Sequence, residues 1–203
     1  MKNPIHPRSR KGFTLVELLV VIAIIAALAA ISIPGVNAIM RNARVTEGQK
    51  MAKDLVFSIE SFEKDYDYLP YPANESAPDS DTKYVLNLGG DLLNVLVGGE
   101  DEVNTKSTAY FNVRQTDKKT NGLEYSGDKP VALWDPFGSP FEVLIDYDYD
   151  KELSPMEIHQ KISKDRNGAN LTIRGESAIA ASPGANEDWN YSDWNENHAI
   201  TTW

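Results

Sequence analysis

The sequence predicts an α+β chain, one long amino-terminal helix laid against a small antiparallel sheet. Three observations predict it. An unbroken apolar run fills residues 18–33, an apolar stripe at helical spacing carries on to about Lys64, and beyond that only short apolar segments remain between turn signals. One long helix followed by short strands leaves an α+β layering in which the helix covers one face of the sheet.

The helix comes first. Residues 13–33 have the length to cross a bilayer, for which about 20 residues rising roughly 1.5 Å each suffice. Lys2, Arg8, Arg10 and Lys11 precede the run and no comparable cluster follows it at once, a bias that keeps the leader in the cytoplasm and the body outside. Glu17 interrupts the apolar start. A carboxylate at the bilayer centre costs on the order of 2.5–3.5 kcal/mol, so it either meets a partner or snorkels to the headgroups. Pro34 removes a backbone donor and is expected to kink or locally melt the helix. The segment also reads as a secretory signal peptide, with Ala29, Ala30 and Ser32 as small residues, although such apolar regions are shorter and lack an internal Glu. A plain membrane anchor is the third reading.

Past Pro34 the pattern becomes that of a surface helix. Ala52, Leu55, Val56, Ile59 and Phe62 recur at three- and four-residue steps, while Lys50, Lys53, Asp54, Glu60 and Glu63 take the other face. Residues 65–72, with Pro70 and Pro72, end the helix. Residues 73–82 are rich in Asp, Ser, Pro and Asn and read as a loop. Asp91 caps a short helix carrying Leu92, Leu93 and Leu96, closed by Gly98 and Gly99. Residues 109–113 and 131–134 read as short strands. The clearest strand is 141–150, where Phe141, Val143, Ile145, Tyr147 and Tyr149 alternate with Glu142, Leu144, Asp146, Asp148 and Asp150. Weaker strands follow at 171–173 and 177–180, the first preceded by the turn signal Asn167-Gly168.

Composition excludes several function classes. The chain has 203 residues and a net charge of −10, and loss of the four leader cations would take it to −14. Nucleic-acid binding relies on Lys and Arg, so this balance argues against such a partner and makes a divalent cation a plausible counter-charge. The absence of Cys removes disulfides, thiolate catalysis and Cys-based zinc sites. His6, His159 and His198 lie in no zincin, nucleophile-elbow or phosphate-loop context, and the chain reads as a non-enzyme. Roughly 140 residues beyond the helix suffice for one domain with its own core.

The stretch Lys11-Gly12-Phe13-Thr14-Leu15-Val16-Glu17, with its apolar continuation, resembles the prepilin signal of type IV pilins and type II secretion pseudopilins. The resemblance implies cleavage between Gly12 and Phe13 by a prepilin peptidase, N-methylation of Phe13, and pairing of Glu17 with the Phe13 ammonium of a neighbouring subunit. Trp134-Asp135-Pro136-Phe137-Gly138-Ser139-Pro140-Phe141 looks like the Asp-Pro-Trp-Gly-x-Pro-Tyr segment of major pseudopilins, and 182–203 resembles their carboxy-terminal loop. Physically, Pro136, Gly138 and Pro140 make a rigid turn that launches the strand at Phe141. The implied organisation is a leader over 1–12, a transmembrane and polymerisation helix over 13–64, and a periplasmic domain over 65–203. The implied function is that of a type II secretion pseudopilus subunit, single-pass in the inner membrane. Its partners would be further copies of itself, minor pseudopilins, the prepilin peptidase and the inner-membrane secretion platform. A type IV pilus subunit for adhesion, motility or DNA uptake is the alternative, although those usually carry a Cys pair that is absent here; a membrane-tethered binding module is another.

Major pseudopilins bind calcium in the carboxy-terminal loop, and the resemblance extends that expectation to Asp188, Asp193, Glu196 and Asn197, beside Asn195. These are hard oxygen ligands, of which Ca2+ takes six to eight. The match departs at Ala199, where the family pattern has a second acid. The other reading is a solvated acidic loop held by Trp189, Trp194 and Trp203. A second frame exists at Asp146, Asp148, Asp150 and Glu157, places one, three, five and twelve of an EF-hand loop, but Lys151 stands where that loop needs Gly. Strict alternation offers a simpler account, the solvent face of a strand.

Overall fold

The helix read from the sequence is α1, Leu15–Tyr66, 52 residues long. A computed structural model of the chain describes residues 12–203 except 89–90, 100–101, 166, 191 and 193, and except the side chains of 31–35 and 196. The expected leader up to Lys11 lies outside the described residues. The chain divides into one unit ending at Arg41 and a second, Asn42–Trp203. Helical backbone runs through Pro34, so the expected melted stretch is not seen. A proline removes one hydrogen bond to the carbonyl four residues earlier, and a helix this long absorbs that loss without ending.

In the second unit the stripe behaves as its spacing dictates. Met51, Ala52, Leu55, Val56, Ile59 and Phe62 are buried, whereas Lys53, Asp54 and Phe57 face outward. Each fully buried Leu, Ile or Phe contributes about 1.5–3 kcal/mol, which makes this face the anchor of the core. Gly48 sets how closely the helix approaches its neighbours, since a Cβ there would overlap Ile200 Cδ1 and lie 3.2 Å from Pro136 Cδ. Asp67 ends the helix in the left-handed conformation (φ 60°), its N–H donating to Glu63 O at 2.8 Å.

The remaining elements are short. In chain order they are β1 (Thr82–Val85), α2 (Asp91–Val97), β2 (Gln115–Thr116), β3 (Gly122–Ser126), β4 (Lys129–Trp134), β5 (Glu142–Ile145), β6 (Glu152–Leu153), α3 (Pro155–Ile158), β7 (Ile173–Arg174), β8 (Ala178–Ser182) and β9 (Ile200–Thr201). The principal sheet is antiparallel, in the order β1-β5-β8-β9, with Thr82 opposite Ile145 and Val143 opposite Ala180. A second sheet, β2-β3-β4, contains one parallel pair, β2 with β3, and β6 pairs with β7.

The expected strand 141–150 is a correction. β5 covers only 142–145, and all four of its residues are buried. Val143 and Ile145 join the cluster built on α1 and α2, while Leu144 joins a second cluster with Leu153, Ile158, Ile162 and Ile179. A central strand covered on both faces has no solvent face for alternation to mark. Glu142 is buried with it, accepting from Trp189 Nε1 at 2.6 Å and facing Lys83 Nζ at 3.2 Å. The expected strand at 109–113 is not one either. The N–H groups of Tyr110 and Phe111 donate to Leu96 O, both at 2.9 Å, so the segment closes the end of α2 instead of joining a sheet. Strands at 131–134 and 177–180 correspond to β4 and β8, and Gly98 (φ 81°) ends α2 as its position implies.

Candidate functional site

Three places bear on function, and the first is the start of α1. Thr14 and Glu17 form a reciprocal cap. Glu17 Oε2 accepts the Thr14 N–H at 2.8 Å and the Thr14 hydroxyl at 2.7 Å, and the Glu17 N–H donates back to Thr14 Oγ1 at 3.3 Å. This is a capping box, Thr-x-x-Glu, which satisfies donors that a helix start otherwise leaves open. Its signature stands in the sequence at Thr14-Leu15-Val16-Glu17, where Glu17 was expected only to meet a partner or the headgroups. Every described side chain from Gly12 to Ala30 is exposed, Phe13 at 81%. A helix apolar on all sides is made for lipid or for other helices. Among the described residues no helix is long and apolar enough to cross a membrane. The end of the expected span, Ile31, Ser32 and Ile33, has side chains outside the described residues.

The second place is the carboxy-terminal loop, which is stapled to the Asp-Pro-Phe-Gly turn. Asp135 is fully buried; its Oδ1 accepts from the N–H groups of Phe137 (2.7 Å) and Ser139 (2.9 Å), and its Oδ2 accepts from Ser182 Oγ at 2.6 Å. Burial raises the Asp135 carboxyl above its ordinary value, while these donors pull it back toward the charged form. Ser139 Oγ donates to Glu187 O at 2.7 Å, and buried Asn186 bridges Pro183 O and Asn195. The turn, expected to launch the strand at Phe141, therefore also clamps the loop. Trp189, Trp194 and Trp203 pack on the second core cluster, and His159 stacks on Trp189 with ring centroids 5.3 Å apart. Of the expected calcium ligands, Asp188 and Asn197 are exposed. Asp188 Oδ1 accepts the Asn190 N–H at 2.7 Å, and Asn197 donates its N–H to Asn195 Oδ1 at 3.0 Å. Asp193 and the side chain of Glu196 lie outside the described residues.

The third place is a carboxylate cluster that only the fold assembles. Asp81, Asp146 and Asp148 bring one carboxylate oxygen each within 4.8 Å of one another. The register of β1 on β5 explains it. Thr82 pairs with Ile145, so the residues just outside that pair, Asp81 and Asp146, face each other. Asp146, expected on a solvent face, is completely buried just past the end of β5, where its N–H still donates to Ser177 O at 3.0 Å. Its Oδ2 accepts the Lys151 N–H at 3.2 Å and lies 3.8 Å from Lys151 Nζ. Asp148 Oδ1 accepts the Asp150 N–H at 3.2 Å, and Lys151 adopts φ 61°, the left-handed conformation that its place in the EF-hand frame demands of Gly. Asp81 is pushed up to about 6, first by burial and then by Asp148, Glu157, Asp146 and Asp150. Burial likewise raises Asp146 and Glu157.

Residues 7–33 match the family model described as the prokaryotic N-terminal methylation motif. The type IV major fimbrial protein FimA of Dichelobacter nodosus is 46% identical over 50 residues, which are 25% of this chain and 31% of that protein. The type IV wide pilus major component PilA4 of Thermus thermophilus is 43% identical over 70 residues, 34% of this chain and 52% of the relative. The amino-terminal part of the chain is type IV pilin-like and carries a prepilin-type methylation signal. The pilin-like match spans about a third to a half of the length of these relatives. No solved structure matches the chain.

Proposed function

We propose that this protein is a non-catalytic filament subunit that is cleaved between Gly12 and Phe13, methylated on Phe13, and polymerised through the first part of α1. The observation that carries the reading is the exposed helix surface of 13–30, apolar on every side beyond Glu17, opened by the Thr14–Glu17 cap and read together with the methylation motif over 7–33. Such a surface gains its free energy by burial against lipid before assembly and against other helices after it. In this reading the chain is held in the inner membrane by that helix with its second unit in the periplasm, and its partners are copies of itself and a prepilin peptidase.

Within that role we favour the type II secretion pseudopilus, with minor pseudopilins and the inner-membrane secretion platform as further partners. The support is the clamp between the Asp135 turn and the carboxy-terminal loop, which occupies the two stretches that resemble major pseudopilins. A surface type IV pilus is the second reading, favoured by the relatives FimA, a type IV major fimbrial protein, and PilA4, a type IV wide pilus major component. The carboxy-terminal loop remains a candidate calcium loop through Asp188, Asp193, Glu196 and Asn197, since the donors it offers are the hard oxygens this cation prefers.

Intact mass and amino-terminal sequencing of the protein from its native membrane test the proposal. A chain beginning at N-methyl-Phe13 is the expected result. A chain beginning near Ser32, or retaining Met1, would mean a secreted or merely tethered protein.

A further inference from the structure

We propose that Asp81, Asp146 and Asp148 form a binding site for one hard divalent cation, calcium by preference, joining the start of β1 to the turn after β5. The three carboxylates come together through strand register, and their ligand oxygens all lie within 4.8 Å of one another. Three oxygens no more than 4.8 Å apart share a point within about 2.8 Å of each, so one calcium ion, whose ligands stand at about 2.3–2.6 Å, reaches all three after a small side-chain adjustment. Like charges facing each other at the end of a strand pair are destabilising unless something lies between them.

A second observation points to a ligand. Asp146 has no solvent exposure, yet its Oδ1 has no hydrogen-bond partner, and Asp81 Oδ1 in the same cluster is likewise buried and unpartnered. A buried carboxylate oxygen without a partner is costly and uncommon in folded proteins. Lys151 does not fill the role. Its ammonium stands 3.8 Å from Oδ2, not Oδ1, and is shared with Ser177 Oγ at 2.9 Å and Glu63 Oε1 at 3.9 Å. One lysine also leaves three clustered carboxylates with excess negative charge, to which exposed Asp150 and Glu157 add.

The donor set fixes the class of ion. It holds only carboxylates, without imidazole or thiolate, which disfavours zinc and copper. Two ligands come from an irregular turn and one from a strand end, a geometry that suits the variable coordination of calcium better than the strict octahedron of magnesium. Water would complete the shell. The consequence reaches the segment that follows α1, because the same turn holds the chain a few residues past the end of that helix. Tyr147 Oη donates to Pro70 O at 2.6 Å, and the Leu69 N–H donates to Tyr149 Oη at 3.2 Å.

The test is calcium titration of the full-length chain in detergent after chelation, followed by calorimetry and by thermal unfolding. Calcium should bind and raise the midpoint of unfolding, magnesium should do so at least tenfold more weakly, and Asp81→Asn and Asp148→Asn should each weaken binding tenfold or more. Asp146→Asn should raise the metal-free midpoint, by relieving repulsion, while abolishing the calcium-induced rise. The Asp188→Asn variant separates this site from the carboxy-terminal loop and should leave the effect intact. No calcium binding by the wild type would overturn the proposal. So would binding that survives Asp81→Asn and Asp148→Asn, or binding lost only with Asp188→Asn.

Discussion

Ser182 Oγ donates a 2.6 Å hydrogen bond to Oδ2 of Asp135, linking the end of β8 to the turn that precedes β5. Through it one buried carboxylate holds its own turn by Oδ1 and the carboxy-terminal loop by Oδ2. Removing the carboxylate leaves the N–H groups of Phe137 and Ser139 and the Ser182 hydroxyl without their acceptor. Asp135→Ala should therefore destabilise the chain by about 2–4 kcal/mol, and Ser182→Ala by about 1 kcal/mol. Urea unfolding followed by Trp fluorescence reads both.

A second prediction concerns Gly48 and Ile200. In an ordinary helix Gly→Ala gains about 1 kcal/mol. Here the new methyl would strike Ile200, which is fully buried beside Pro136, and overpacking typically costs about 1–3 kcal/mol. Gly48→Ala should lower stability in the wild type and raise it in an Ile200→Ala background. A thermodynamic cycle on the four proteins measures this, and additive effects would contradict the close approach.

A third follows from the cap at the start of α1. Glu17→Ala should leave export and cleavage largely intact while reducing filament assembly, as seen by electron microscopy of sheared material. Thr14→Val, which keeps the carboxylate but removes the hydroxyl that donates to it, should speed hydrogen exchange in the first helical turn with a smaller effect on assembly. Normal filaments from the Glu17 variant would refute a register role.

The fourth is a pH dependence. His159 stacks on Trp189, and burial lowers its imidazole below the usual 6.5, with Lys161 and Lys83 adding to the depression and Glu142 opposing it. The unfolded chain then binds the proton more tightly, so the stability this residue contributes is complete above pH 6.5 and is lost as pH falls through its folded value. His159→Asn should flatten the curve there. Comparison of wild type with the His159 variant by chemical denaturation isolates the histidine.

How much of this was legible varies with sequence distance. The stripe from Ala52 to Phe62 was, because helical contacts repeat every three or four residues and their period is visible in the chain itself. So was the Asp135-Pro136-Phe137-Gly138 turn, whose residue types impose their own geometry. The Thr14–Glu17 cap was equally local. The solvent face assigned to Asp146, Asp148 and Asp150 held for the last two and failed at Asp146, and Glu142 is buried as well, because burial along β5 depends on what covers its second side, namely Leu153, Ile158 and Trp189, all later in the chain. Asp81 was unreadable as a site residue for a related reason. Only the pairing of β1 with β5 brings it to Asp146, and β1 has no alternation to announce it.

The capping box at the head of α1 also bears on how a filament of such subunits would keep its register. Before any neighbour arrives, the Glu17 carboxylate already holds two donors from Thr14, both on Oε2. A carboxylate offers two oxygens and about four acceptor sites, so an incoming ammonium would have a second oxygen to meet and need not displace Thr14. The cap holds the side chain in place before docking, so little rotamer freedom remains to be lost on pairing, and a subunit arriving out of step would miss an acceptor already aimed.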